Sequence, residues 1–166
     1  MPSPAPSAVR ALADATARWP NRSKASDGIM GDAAHVERCE KDPARCEGHV
    51  LGNAFDVTHD PAAGVDGSEV AELARKDPRT VYVIWNRRIW SRKREAEGWR
   101  PYTGPNPHDK HVHVSIAPET REDASPWPWA PGAESATLPK LGPLRAGLGL
   151  LVAGGLGLAA WRFFQR

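Results

Sequence analysis

Cysteine is nearly absent from this 166-residue chain, with only Cys39 and Cys46 present, so no framework of several disulfides can hold the fold together. Those two can bridge a short loop in an oxidising compartment, stand as two free thiols, or join His35 and His49 in a structural zinc knuckle. Neither sign of charge dominates, since 22 Lys and Arg face 20 Asp and Glu, and a net +2 excludes a global polyanion-binding surface. The local run Arg87-Arg88 and Arg92-Lys93-Arg94 reads as a solvated face. No zinc-finger, helix-turn-helix or base-stacking motif accompanies it, so nucleic acid is not an expected partner. Met-Pro-Ser-Pro-Ala-Pro lacks the basic and apolar regions of a secretory signal, and export would need another route.

Proline and glycine are abundant instead, at 16 and 15 residues, and imply much irregular backbone around a small core to which seven tryptophans can contribute. Ser7 to Arg18 reads as a helix with Val9, Leu12, Ala13 and Thr16 at helical spacing, ending before Trp19-Pro20. Residues 20 to 48 look like loop with a brief helix. Leu51 to Val57 has strand character, and Ser68 to Lys76 reads as a helix capped by Ser68 with Val70, Leu73 and Ala74 as its apolar stripe. Val81 to Trp85, Arg88 to Trp90 across a turn, and His111 to Ile116 complete the strands. The expected fold is α+β, a small antiparallel sheet with flanking helices, over residues 1 to 117.

Residues 118 to 143 carry six prolines and suit an extended linker. Beyond them, Leu144 to Phe164 is interrupted only by Arg145 and Arg162. Its 16 unbroken residues, Ala146 to Trp161, fall short of the ~20 needed to cross a bilayer, but snorkelling arginines and an interfacial Trp161 extend the span. Five glycines would make a poor soluble helix, so residues 144 to 166 are expected to be a transmembrane anchor. Gly149, Ala153 and Gly157 recur every four residues, spacing that permits helix-mediated self-association.

Six histidines are present, and five of them fall in two clusters, His49 with His59 and His108-Asp109-Lys110-His111-Val112-His113. Side chains at i and i+2 of a strand share a face, so His111 and His113 can aim at one point. A His and an Asp from the first cluster would complete the three-ligand set of a catalytic zinc site. His35 and His59 read equally well as structural histidines. Trp85, Trp90, Trp99 and Tyr102 can line a substrate groove, with core packing expected for at least half of them.

His49-x-x-Gly52-x-Ala54-x-Asp56 followed by His111-x-His113 resembles the M15 zinc peptidases, of the D-Ala-D-Ala peptidase and hedgehog type of fold. That family includes bacterial carboxypeptidases, murein endopeptidases and phage endolysins. Trp19 to Ser23, Ser26 to Ile29, Gly31 to His35 and Tyr82 to Asn86 extend the likeness over about residues 20 to 117. The resemblance implies that His49, Asp56 and His113 bind Zn2+. Many members place a Glu three residues before a metal-binding His, where this chain has Lys110; others carry His-x-x-His-x-His, present here as His108, His111 and His113. In that subgroup His108 would move the proton and His111 would support the zinc site or the tetrahedral intermediate, with Asp109 a competing base or orienter. Glu47 stands where the motif usually has Ser or Thr.

The expected function is zinc-dependent cleavage of peptidoglycan by a membrane-anchored phage lysis or cell-entry enzyme, sited in a bacterial envelope or virion membrane. The alternative is a zinc-binding envelope or virion protein that binds peptidoglycan without turnover.

Overall fold

The computed structural model describes residues 2–42 and 48–133. Three helices, α1 (Pro6–Arg18), α2 (Ala33–Lys41) and α3 (Gly67–Lys76), accompany five strands: β1 (Ala54–Thr58), β2 (Thr80–Trp85), β3 (Arg88–Ser91), β4 (Arg100–Pro101) and β5 (His111–Ile116). The strands form one antiparallel sheet in the order β1-β5-β2-β3-β4. This is the expected small α+β architecture. Among the described residues no helix is long and apolar enough to cross a membrane, and the expected anchor at 144–166 lies outside them, as do Cys46 and Glu47.

Strand alternation divides the sheet into two chemically different faces. Phe55 and Val57 of β1, Val112 and Val114 of β5, Val83 and Trp85 of β2, and Trp90 of β3 are buried together under α1 and α3. The opposite face carries Asp56, His111, His113, Ser115 and Tyr82. Register makes them neighbours: Asp56 pairs with His113, and Tyr82 with Ser115. The β2–β3 hairpin closes through Asn86 and Arg87, both at positive φ (46° and 60°), the backbone signature of a two-residue turn matched to strand twist.

α1 begins with Pro6, whose fixed φ suits a first helical position. It buries a face other than the expected one. Ala8, Ala11 and Ala15 are inside with Ser7 and Asp14, whereas Val9 is 50% exposed. Small side chains let this helix lie against two tryptophans that a larger stripe would exclude. In α3 the cap is Asp66, which accepts from the Ser68 backbone N–H at 2.8 Å, while Ser68 Oγ accepts from Trp85 Nε1 at 3.1 Å. Val70 and Ala74 form the inner stripe as expected, and Leu73 packs at its edge.

The linker expected to start at residue 118 is not one over its first half. Trp127 and Trp129 are fully buried and stack on each other at 5.0 Å, and Phe55 meets Trp127 edge-on at 4.9 Å. Their indole N–H groups donate to the α1 carbonyls of Ser7 (2.9 Å) and Ala11 (3.0 Å), and Asp14 accepts from the Trp127 backbone N–H at 2.9 Å. Buried Arg79 clamps the strap from the other side, donating to the carbonyls of Asp123 and Ser125 with its guanidinium 4.1 Å from the Trp127 ring. A turn closed by the Ala130 N–H on the Trp127 carbonyl (2.8 Å) brings the two tryptophans together in the core. Residues 118–133 therefore belong to the domain; 134–143 lie outside the described residues.

Candidate metal centre

His49 enters the site from a single 3-10 turn, Gly48–Leu51, that leads into β1. Gly52 ends that turn at φ 71°, and a Cβ there would stand 2.4 Å from the Ser3 carbonyl oxygen. Glycine is thus required where the N-terminal segment crosses. Asp56 and His113 face each other across β1 and β5, and the loop before α2 borders Asp56, whose N–H donates to the Gly28 carbonyl at 2.8 Å.

Three donor atoms converge. His49 Nε2 lies 3.1 Å from His113 Nδ1 and 3.3 Å from Asp56 Oδ2, and His113 Nδ1 is 3.1 Å from Asp56 Oδ1. The outer nitrogens are committed elsewhere. His49 Nδ1 donates to the Ile29 carbonyl at 2.8 Å, and His113 Nε2 faces Ser115 Oγ at 3.2 Å. A carbonyl only accepts, so the proton of neutral His49 is on Nδ1 and its Nε2 lone pair points inward. Two imidazoles with their other N–H held by an oxygen, plus a carboxylate, make the donor arrangement of a histidine-rich metal site. Tetrahedral neighbours around zinc at 2.0–2.1 Å stand about 3.3 Å apart, and the separations here match. These residues fit a divalent cation with little movement. Among the described residues this is the group of His, Cys, Asp and Glu that could hold one.

Burial alone would raise the Asp56 carboxyl, but hydrogen bonds and charge from His113 and His49 outweigh it and hold the group well below the ordinary carboxylate range. Burial opposes the charged form of both imidazoles. At His49, attraction to Asp56 wins and the value rises; at the more deeply enclosed His113, burial wins and it falls. The carboxylate is therefore ionised and His113 neutral near pH 7, the states that bind metal.

The other histidines divide by position. His111 Nε2 is 3.8 Å from Asp56 Oδ2, at the rim of the cluster. His108 is buried, with its ring 5.1 Å from that of His111 and 5.6 Å from that of His113. Its Nδ1 donates to the Asn106 carbonyl at 2.8 Å, leaving Nε2 as a lone pair. Burial, then the neighbouring His113 and His111, push its pKa down to about 4. Its backbone sits at φ 52°, a conformation non-glycine residues seldom adopt and one that recurs at functional sites. Asp109, by contrast, is exposed. His59 accepts from the Gly67 N–H of α3 at 2.9 Å, a structural role. His35 pairs with Asp32 at 2.7 Å, its ring 5.6 Å from His49.

Several contributors escaped the sequence reading. Ser115 carried a signal, since it is two residues beyond His113 on the same strand face. Tyr82, stacked on His113 at 5.4 Å, needed the β2–β5 register to be found. The Ile29 and Asn106 carbonyls are backbone groups and leave no trace in residue identity. Of the aromatic residues expected near a groove, Trp85 and Trp90 are core and Trp99 packs at its edge, while the Tyr102 ring meets His108 at 5.5 Å.

The family model of the VldE C-terminal domain matches residues 8–113, a span that runs from α1 to the last of the three donors. No curated protein and no solved structure matches the chain.

Proposed function

This chain belongs to the family of the VldE C-terminal domain, and we propose that its His49–Asp56–His113 group is the zinc centre of a peptidase that cuts an amide in the peptidoglycan stem peptide or cross-link. The observation that carries the reading is the convergence of His49 Nε2, Asp56 and His113 Nδ1 to within 3.3 Å of one another, beside a buried His108 whose Nδ1 is held by the Asn106 carbonyl. When bound, zinc supplies Lewis acidity toward the scissile carbonyl and acidifies water. The chain's residues do the rest. Ile29 and Ser115 fix the two ligand rings, Asp56 neutralises part of the cation's charge, and His108 Nε2 receives the proton of the attacking water and returns it to the leaving amine. His111, at the rim beside Asp56, is placed to donate to the oxygen on which negative charge develops.

The likeness to M15 peptidases in residues 49–56 and 108–113 supports both the metal and the substrate class. Residues 144–166 are proposed as the membrane anchor of a phage lysis or cell-entry enzyme, a reading that rests on composition.

Two measurements test the proposal together. Purified protein should carry one zinc and release muropeptides from sacculi, with mass spectrometry naming the bond. His113→Ala should lose metal and turnover together. Full zinc occupancy at this site in that variant would reject the ligand assignment, and a zinc-loaded wild type that releases nothing would reject the peptidase.

A further inference from the structure

Between α1, α3 and the strap lies a cavity of about 630 Å3, bordered by Arg10 of α1, Leu73 of α3 and the strap residues Pro126, Pro128, Pro131 and Ala133, among others. It opens on the helix side of the sheet, opposite the metal centre. Its walls are mostly apolar. The charges at its border are already neutralised, since Arg10 pairs with Asp14 at 2.8 Å and Asp77 with Arg79 at 2.7 Å. An occupant is therefore apolar where it touches the cavity. The volume asks for more than one side chain, because ~150 Å3 holds a single benzene. Pro126 and Pro131 are exposed, so no described residue covers this part of the wall.

The chain itself leads into this space. Ala133 is part of the wall, and it follows a turn in which Gly132 sits at φ 85° and the Ala133 N–H donates to the Ala130 carbonyl at 2.9 Å. The next ten residues, Glu134-Ser135-Ala136-Thr137-Leu138-Pro139-Lys140-Leu141-Gly142-Pro143, carry two large apolar side chains, Leu138 and Leu141. Pro139 favours a polyproline conformation with three residues per turn, in which Leu138 and Leu141 share one face and Lys140 takes another. Five residues from Ala133 reach at most ~17 Å, enough to bring Leu138 back across the cavity. A tether this short gives the segment an effective concentration on the order of millimolar, ahead of a partner arriving from solution. We propose that the cavity is the seat of residues 134–143, with Leu138 and Leu141 packed between α1, α3 and the strap. Its consequence for function rests on the proposed anchor. Where residues 144–166 insert, the seat turns the helix side of the domain to the bilayer and the metal centre away from it.

Trypsin reads the seat at the Lys140–Leu141 bond. The full chain is digested in isolated membranes, or in buffer if it needs no detergent. Cleavage after Lys140 is followed by mass spectrometry for wild type, Leu138→Asp/Leu141→Asp and Pro131→Asp. Burying one leucine is worth about tenfold or more in an equilibrium, so the double variant should be cut at least about tenfold faster than wild type. Pro131→Asp, which charges the exposed wall, should also be cut faster, and both should keep the wild-type circular dichroism spectrum. A chain ending at Pro143 should melt above one ending at Ala133, and the double substitution should abolish that difference. Wild type cut as fast as both variants, or equal melting of the two chain lengths, overturns the seat. Slow cleavage in all three also overturns it, since the protection then comes from something other than the cavity. Protection that disappears on dilution assigns the cavity to a second copy and overturns it likewise. Faster cleavage of both variants in a chain that needs no detergent upholds the seat and overturns the anchor, and with it the orientation; release of muropeptides decides the peptidase separately.

Discussion

His49 and His113 share the Asp56 carboxylate with His108 close by, and the outer partners of these imidazoles decide what each can do. His49 and His113 turn their free nitrogens inward because Ile29 and Ser115 hold the other side. His108 is held the same way by Asn106, but its ring stands outside the donor triangle. A held imidazole outside the metal shell is positioned for proton transfer, and loss of such a group typically lowers rates by ~10² to 10⁴. His108→Ala should therefore lose activity by that factor while keeping its zinc. Asp109→Asn, altering an exposed carboxylate, should stay within a few-fold of wild type. Initial rates on sacculi, with metal content measured in parallel, check both; an inactive Asp109→Asn beside an active His108→Ala would reverse the roles.

At the scale of elements, the loop before α2 positions the metal centre through one buried ion pair. Asp27 Oδ1 accepts from Arg22 Nη1 (2.8 Å), from the Thr58 backbone N–H (3.0 Å) and from Thr58 Oγ1 (2.8 Å), tying the loop to the end of β1 two residues past Asp56. Burial would raise the Asp27 carboxyl, but hydrogen bonds from Arg22 and Thr58 outweigh it and lower the value. A carboxyl depressed by folding stabilises the native state above its unfolded pKa of ~3.9 and loses that contribution as pH falls toward the folded value. Asp27→Asn should cost about 3–5 kcal/mol at pH 7, because buried Arg22 is left uncompensated. The gap between variant and wild type should narrow below about pH 4. Urea melts at several pH values measure it, and a gap that is constant or widens in acid would contradict the assignment.

The same scale shows which elements sequence makes legible. β5 was readable to its last residue, since His-Val-His-Val-Ser-Ile alternates polar and apolar side chains and the two faces differ in chemistry. α3 announced itself by its stripe. In α1 hydrophobicity misled: the inner face is alanine, chosen for closeness, and the more apolar Val9 points to water. β4 has two residues, Arg100–Pro101, too few to carry a period. The His49, Asp56 and His113 group was legible because it rests on residue identity, whereas the Ile29 carbonyl that orients His49 is set by loop geometry alone.

For the whole molecule the decisive correction is the strap at 118–133. Its four prolines made it look like tether, yet Trp127 and Trp129 fill the space between α1 and the sheet, Asp14 accepts from the Trp127 backbone N–H, and Arg79 donates to the Asp123 and Ser125 carbonyls. The boundary of the folded unit thus moves past Trp129, and a chain ending at residue 117 lacks part of its own core. Truncating a buried tryptophan to alanine costs about 3–5 kcal/mol, a large share of the 5–15 kcal/mol that stabilises a typical domain. Trp127→Ala should therefore unfold at markedly lower temperature, and a variant ending at residue 117, which loses both indoles, should fail to fold. A variant ending at Ala133 retains every contact described and should bind zinc and release muropeptides like the full chain. It should also stay soluble, whereas the full chain, if residues 144–166 insert as proposed, should remain with membranes through a carbonate wash. Melting by circular dichroism and fractionation after expression in bacteria read the two halves of this prediction separately. Cooperative unfolding of the 117-residue variant at wild-type temperature would return the strap to the status of a tether, and full-length protein that needs no detergent would remove the anchor.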